Sequence, residues 1–163
     1  MAHYDYWENK VKHSILIDSG ADLISYGMGE HSILEIAEAL QSGIPVEEIT
    51  YVAGTVFKSH DIGRVYEPLI LPDFEQVQTD KKAYAASFAI QYRNTDPFTA
   101  RSLAESYGNR GYVIQNPPAQ PLTEIEMDDV YDLPYTGQYH PMYQKDGGIP
   151  ALKEIKFSLT SNR

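Results

Sequence analysis

The stretch Asp22-Leu23-Ile24-Ser25-Tyr26-Gly27-Met28-Gly29-Glu30 decides the expected fold of this chain. Asp22 to Gly27 has the length and apolar content of a short strand, and the two glycines predict a turn directly after it. A helix is expected next, from about His31 to Gln41, with a capping box at Ser32-x-x-Glu35. Its buried face is predicted to consist of Ile33, Ile36, Ala37 and Leu40. A strand that runs through a glycine turn into a helix is typical of α/β folds.

Helical spacing of apolar residues predicts further helices on both sides of this unit. The first is expected from Tyr4 to Ser19, with Trp7, Val11 and Ile15 on one stripe and Gly20 as the residue that ends it. The later helices are predicted at Asp80 to Arg93, Thr99 to Tyr107, and Thr123 to Tyr131. With the helix from His31 to Gln41, the chain is therefore expected to contain five helices.

Further strands are predicted between and after these helices. They are Thr50 to Lys58, Val65 to Leu71, Gly111 to Gln115, and Lys156 to Leu159. The segment Asn116-Pro117-Pro118 ends the third of these strands, because proline has no N–H to donate to a sheet. This rigid, extended segment either clamps a ligand or partner or makes a fixed turn, and the sequence favours neither reading.

Composition and charge restrict the class of protein. With 163 residues, 42% hydrophobic and 22% charged, the chain is expected to fold around one core as a soluble, cytoplasmic domain. No apolar run approaches the ~18 residues of a membrane span, and no signal-peptide pattern appears. The net charge of −10 repels phosphate backbones, so nucleic-acid binding is not expected. The absence of cysteine excludes disulfides and thiolate ligands within this chain.

The turn Gly27-x-Gly29 is the first candidate binding site. Backbone N–H groups at the start of a helix can hold an anion, so Gly27, Gly29 and Glu30 are the cofactor-binding candidates. The full G-x-G-x-x-G pattern is absent because Ser32 stands at the third glycine position, and Glu30 places a negative charge at the mouth. A structural turn is therefore favoured over a nucleotide site.

Other polar residues point to neither a catalytic site nor a metal site. The five histidines lack the H-x-x-x-H spacing of a helical zinc site, and no serine lies in a nucleophile motif. Glu30 with His31 is a conceivable proton-transfer pair, but a role at the helix terminus is favoured. The acidic cluster of the last predicted helix is interpreted as a solvated face and comprises Glu124, Glu126, Asp128 and Asp129.

Five separated blocks of the chain, taken in order, resemble YgiQ-type radical S-adenosylmethionine proteins. The blocks are Ala2 to Trp7, Gly27 to Glu30, Val113 to Ala119, Asp132 to Thr136 with His140-Pro141 and Tyr143, and Ile149 to Arg163. The last block resembles the lead-in to the cluster loop, where such proteins continue with Gly-Cys and a C-x-x-x-C-x-x-C loop. The resemblance therefore covers most of the chain and stops short of every cluster ligand.

The resemblance implies an α/β fold in three parts. Residues 1–60 would be the C-terminal part of a Rossmann-like, cobalamin-binding-domain-like region, and residues 61–150 a helical and irregular linker. Residues 151–163 would hold the first strand of a partial (β/α) barrel, whose active site lies at the C-terminal ends of its strands. The parent protein would bind a 4Fe-4S cluster and S-adenosylmethionine through residues outside this chain. The D-x-H-x-x-G pattern that ligates cobalamin is also absent from this chain.

The leading hypothesis for function is a non-catalytic accessory or linker fragment of a radical S-adenosylmethionine enzyme, with the remainder of its own polypeptide as partner. Early strands of the Rossmann-like region are expected to be missing upstream, so the exposed sheet edge or the Trp7 face is predicted to cause self-association. The alternative is a self-contained nucleotide- or protein-binding module that uses Gly27 to Glu30 and the Pro117-Pro118 loop. A hydrolase built on Glu30 and His31 is a third, less favoured option.

Overall fold

The computed structural model describes residues 1–156, and the fold is mixed α/β, as the sequence predicts. The chain divides into two compact units, Met1–Pro121 and Leu122–Arg163. The first unit holds every strand of the described residues. Within residues 1–156, no helix combines the length and the apolar character that a membrane crossing requires.

The first unit begins with a hairpin and continues as a sheet flanked by helices. In chain order its elements are β1 His3–Asp5, β2 Lys10–Lys12, α1 Ile15–Ser19, β3 Leu23–Ser25, α2 Glu30–Gln41, β4 Thr55–Ser59, β5 Leu69–Ile70, α3 Phe74–Thr79, α4 Lys81–Arg93, β6 Leu103–Ser106 and β7 Tyr112–Gln115. Short 3₁₀ turns lie at Val46–Glu48, Ile62–Arg64 and Gly108–Arg110. The hairpin strands pair only with each other, and the other five form one sheet.

The sheet has the strand order β3-β4-β7-β6-β5. Only β5 and β6 run parallel, while the other three neighbouring pairs are antiparallel. One face carries Phe57, Ala104 and Ile114, which pack beneath the loop after β4. The other face carries Val56 and Val113, and the residues that cover it from the helices are Leu16, Phe74, Val77 and Tyr84. Two apolar layers thus enclose the central strands β4 and β7.

Two helix predictions are wrong in the first unit. The predicted helix from Tyr4 to Ser19 is instead the β1–β2 hairpin followed by the short α1. Asp5 Oδ1 accepts hydrogen bonds from the N–H groups of Trp7 (2.8 Å) and Glu8 (3.2 Å), and Asn9 has a left-handed φ of 52°. A side chain that bonds its own backbone in this way favours a turn over a helix. Gly20 does end α1 as predicted, with φ 71°.

The predicted helix from Thr99 to Tyr107 is the second error, because this segment contains β6. Leu103, Ala104 and Glu105 are buried and pair with β7 in antiparallel register, so tertiary pairing overrides the local helical pattern. The helix α3, which begins with a capping box between Asp73 and Gln76, was also not predicted from the sequence. By contrast, α4, β7 and the later helix α5, Glu124–Tyr131, form close to their predicted positions.

The helix α2 forms as predicted, but its cap and its buried face differ. Its N-cap is Gly29, and Ser32 instead donates a hydrogen bond of 2.8 Å to the carbonyl oxygen of Ala53. The buried positions of α2 are Ser32 and Ala39, with Ile36 half-buried beside them. The predicted face is therefore rotated, which leaves Ile33, Ala37 and Leu40 exposed.

The Rossmann-like interpretation of residues 1–60 does not match the sheet. A Rossmann βαβ unit joins parallel strands through its helix, whereas α2 joins β3 and β4, which are antiparallel neighbours. A mixed α/β sheet without a closed barrel is what the described residues form. Of the predicted barrel strand from Lys156 to Leu159, only Lys156 lies within the described residues. Lys156 directly follows the short helix α6, Leu152–Ile155.

The second unit is described by itself as α5 Glu124–Tyr131, a 3₁₀ segment at Pro141–Asp146, and α6. The helix α5 begins with a capping box, because Thr123 and Glu126 each accept a hydrogen bond from the other's backbone N–H. No residue from Leu122 to Lys156 is buried. Capping and local turns, rather than a core, shape this unit.

Candidate functional site

The glycine turn after β3 has the geometry of a structural turn. Gly27 has a left-handed φ of 70°, and a side chain at Gly29 would bring a Cβ to 3.2 Å from Ser25 Oγ. Glu30 follows in the first turn of α2, where a carboxylate favourably meets the positive end of the helix dipole. That charge would also repel a phosphate. Binding of a cofactor by Gly27, Gly29 and Glu30 stays a prediction.

Asn116 forms the centre of a hydrogen-bonded junction beside this turn. Its side-chain amide donates to the carbonyl oxygens of Thr50 and Val52, each at 2.9 Å, and to Thr55 Oγ1 at 3.1 Å. Its backbone N–H donates to the carbonyl oxygen of Thr55 at 2.9 Å. The residue is buried, and the carbonyl oxygen of Val52 also accepts from Thr55 Oγ1 at 2.6 Å, so the Asn116 amide is part of a shared hydrogen-bond network.

Tyr26 ties the end of β3 to the same junction. Its hydroxyl donates to the carbonyl oxygen of Asn116 at 2.5 Å, and its N–H donates to the carbonyl oxygen of Gly54 at 2.8 Å. Burial raises the pKa of Tyr26 to about 12, and a hydrogen bond with Gln115 opposes this rise. The neutral phenol is therefore the form that the folded protein favours.

Gly54 brings the proline segment against the start of α2. Its N–H donates to the carbonyl oxygen of Pro117 at 2.7 Å. Its φ is 71°, and an added Cβ would lie 2.9 Å from Ser32 Oγ and 3.1 Å from Ala119 Cβ. Only glycine fits this position without displacing a neighbour. We call the set Tyr26, Ser32, Gly54, Thr55 and Asn116–Ala119 the Asn116 junction.

The Asn116 junction joins two stretches that the sequence analysis singled out separately. The end of β3, the start of α2, the start of β4 and the segment after β7 all meet here. Every Asn116 contact described above is internal to the first unit, which favours the fixed-turn reading of Asn116-Pro117-Pro118 over a ligand clamp. The junction holds the Gly27–Glu30 turn in place.

A second buried polar group, Glu105, was not predicted from the sequence. Glu105 is fully buried in β6, and its Oε2 accepts hydrogen bonds of 2.6 Å from the Ala2 N–H and from the Tyr107 hydroxyl. Ser14 N–H donates to Tyr107 at 2.8 Å. Burial, and then the charge of Glu105, raise the pKa of the Tyr107 hydroxyl well above its usual range.

This buried group lies beneath a small open cleft. The His13 ring stacks on Phe74 with 4.2 Å between centroids, and Phe74 stacks on Tyr107 at 5.4 Å. His13 Nδ1 lies 3.0 Å from Asp18 Oδ1, and a cleft of about 310 Å³ opens beside the stack with Arg110 on its wall. A glutamate directly after the apolar pair Leu103-Ala104 was the available sequence signal, but the helix prediction for this segment concealed it.

Comparisons with known proteins establish the family. The family described as Radical SAM N-terminal matches residues 1–158. A UPF0313 protein of Clostridium botulinum is 49% identical over 162 residues, which is 99% of this chain and 25% of that protein. A UPF0313 protein of Clostridium perfringens is 48% identical over 163 residues, which is 99% of this chain and 24% of that protein. No solved structure matches.

The chain belongs to the radical SAM N-terminal family, which confirms the resemblance to radical S-adenosylmethionine proteins. It corresponds to the N-terminal region of UPF0313 proteins and spans about a quarter of the length of these relatives.

The iron–sulfur cluster that the family name implies finds no fitting residues in the described part of this chain. The sequence contains no cysteine, and residues 1–156 hold no group of three or more histidine, aspartate or glutamate side chains placed to bind a metal ion. No chemical step is therefore assigned through such a cluster to the residues of this chain.

Proposed function

We propose that this chain is a non-catalytic accessory region of a radical S-adenosylmethionine protein. It packs against the remainder of its own polypeptide and shapes one side of the barrel mouth there. The remainder supplies the ligands of a 4Fe-4S cluster and the S-adenosylmethionine site. Family membership over residues 1–158 and the roughly fourfold greater length of the relatives support this assignment.

The uncovered face of α2 carries the proposal. The first unit buries one side of this helix, but Ile33 (59% exposed), Leu34 (62% exposed) and Leu40 remain open to solvent with Ala37 between them. Covering one such side chain contributes about 1.5–3 kcal/mol. A contiguous apolar patch of this kind is typical of an interaction surface. The remainder of the polypeptide is the occupant we assign to it.

The tip of the β1–β2 hairpin offers a second contact of the same kind. Trp7 is 90% exposed and meets Tyr6 edge-to-face, with 5.7 Å between ring centroids. The hydrogen bonds from Trp7 N–H and Glu8 N–H to Asp5 hold this turn in one conformation. Aromatic side chains presented on a fixed turn are the type of residue that contributes most to protein interfaces.

The experiment compares Leu34→Ala with Glu35→Ala, in this chain alone and in the whole protein. Both side chains are exposed on α2 in the first unit, so both changes should leave unfolding of the isolated chain within about 0.5 kcal/mol of wild type. In the whole protein Leu34→Ala should destabilise by about 2 kcal/mol or more, while Glu35→Ala stays neutral. Equal effects of the two variants in the whole protein would refute the packing of α2 on the remainder.

The second candidate is a self-contained binding module centred on the Gly27–Glu30 turn. In its favour, the N-cap of α2 is Gly29, which has no side chain to cap the helix, and the N-terminus of a helix attracts anions. A nucleotide present at ~100 times its dissociation constant would add about 2.7 kcal/mol to the free energy of unfolding. A thermal-shift series with mono- and dinucleotides tests this, and melting temperatures that stay constant would dismiss it.

A further inference from the structure

The helix α4 differs in charge from the rest of this acidic chain. Its only charged residues are Lys81, Lys82 and Arg93, and the sequence contains no acidic residue from Lys81 to Thr95. The chain as a whole has a net charge of −10. One element of the first unit therefore presents a locally positive surface.

The exposed side of α4 also carries apolar residues. Lys81, Ala85, Phe88 and Tyr92 follow the i, i+4, i+7, i+11 spacing of one helix stripe. Phe88 is 60% and Tyr92 70% exposed, and their rings stack with centroids 6.1 Å apart. The opposite side of α4 packs inward through the buried Ser87. We call this stripe, together with Lys82, the α4 stripe.

The same sequence contains a helix of complementary character. On α5, Glu124, Ile125, Asp128 and Tyr131 are all exposed and fall on one continuous arc, which Asp132 extends. Ile125 is 74% exposed. No lysine or arginine occurs between Arg110 and Lys145. The face thus interleaves carboxylates with apolar side chains, as the α4 stripe interleaves cations with aromatic rings.

We propose that two copies of this chain associate, with the α4 stripe of each copy against the α5 face of the other. Burial of Phe88 and Tyr92 on Ile125 and Tyr131 drives the contact, and the opposite charges select the partner. A two-fold pair makes this contact twice, because an isologous dimer places the same two surfaces on each subunit. The proposal is independent of the accessory role assigned above.

Charge reversal gives the test. The first variant is Lys81→Glu with Lys82→Glu, and the second is Asp128→Lys with Asp132→Lys. Acidic residues suit the N-terminal turn of α4 and basic residues suit the C-terminal turn of α5, so neither change opposes the helix dipole. Lys58→Glu, at an exposed position on β4, is the matched control.

The molar mass of each sample is measured by light scattering on a sizing column. Wild type and Lys58→Glu should show twice the chain mass of 18.4 kDa, each reversed variant should show the monomer mass, and an equimolar mixture of the two should recover the dimer. Added salt should also weaken the wild-type pair, because it screens the attraction between the two charged surfaces. A monomeric wild type, or a mixture that stays monomeric while both variants are folded by circular dichroism, overturns the proposal.

A third variant tests the proposal in case the charge-reversed chains misfold. Phe88→Gln with Tyr92→Gln keeps every charge and alters only side chains that are exposed. It should reduce the wild-type dimer to monomer without lowering the melting temperature of a diluted, monomeric sample. Retention of the dimer by this variant would also overturn the proposal.

Discussion

The two units of this chain differ in the burial of their apolar side chains. In the first unit, Leu16, Val56, Phe57, Val113 and Ile114 are buried on the two faces of one sheet. In the second unit, no residue from Leu122 to Lys156 is buried, although large side chains are frequent there. Those that are exposed include Ile125, Tyr131, Leu133, Tyr135 and Met142.

The difference follows from the conformational entropy that each unit must offset. Fixing one residue opposes folding by about 1–2 kcal/mol, and burial of apolar surface is the main term that balances it. The first unit has this burial, whereas the described part of the second has capping hydrogen bonds worth only about 1 kcal/mol each. The apolar residues of the second unit are therefore suited to contacts outside it.

The largest expected effect is the loss of a core side chain from the first unit. Ile114→Ala removes a fully buried side chain between Phe57 and Ala104, and it should destabilise the chain by about 2–5 kcal/mol in urea unfolding. The matched change in the second unit, Ile125→Ala, should stay within about 0.5 kcal/mol of wild type at concentrations where the chain is monomeric. Similar losses at both positions would erase the contrast between the units.

The Asn116 junction should give the next largest effect. Asn116→Ala removes the buried amide that donates to the carbonyl oxygens of Thr50 and Val52 and to Thr55 Oγ1, which should destabilise by about 1–3 kcal/mol. Asn109→Ala is the control, because Asn109 is exposed in the turn before β7. Guanidinium unfolding midpoints compare the two, and a neutral Asn116→Ala would show that the junction does not contribute to stability.

Alkaline pH should weaken the first unit through Tyr26. Because the folded state raises the pKa of this phenol to about 12 from 10.0, its contribution is complete below pH 10 and is lost as the pH rises toward 12. The full shift corresponds to at most about 2.7 kcal/mol, and the half-buried ring will show less. Tyr26→Phe should abolish this part of the pH dependence, measured as unfolding free energy between those two pH values. An unchanged slope in the variant would contradict the assignment.

The smallest effect is expected from the two capping boxes. Asp73→Ala removes the cap of α3, which packs in the first unit through Phe74 and Val77, and should reduce the free energy of unfolding by about 1 kcal/mol. Thr123→Ala removes the corresponding cap of α5, where no core couples helix formation to global unfolding. It should lower helical ellipticity slightly and leave the main transition in place. A shift of that transition would show that the units unfold together.

Local patterns were sufficient for the elements whose signals lie within their own sequence. The helix α4 has apolar residues at helical spacing along its whole length, and α5 has its capping box. The strand β7 ends just before two prolines. The hairpin and β6 could not be predicted in this way. Side chain–backbone bonds of Asp5 and pairing of β6 with β7 decide them, and both outweigh helical propensity.

The candidate site was predictable in its parts but not as a whole. Unusual local sequence singled out the Gly27–Glu30 turn and Asn116-Pro117-Pro118, yet their meeting at Gly54 depends on the order of strands in the sheet. Glu105 could not be identified because its burial results from the assignment of its segment to a strand. Antiparallel pairing of β3 with β4 likewise cannot be read from a strand–turn–helix pattern.

The proposed covering of this region by the remainder of its polypeptide can be tested by side-chain labelling. Hydroxyl-radical footprinting with mass spectrometry should be carried out on this chain alone and on the whole protein. If this proposal holds, Trp7, Ile33 and Leu34, which are exposed in the first unit, lose most of their reactivity in the whole protein. Equal reactivity of these three side chains in both samples would contradict it.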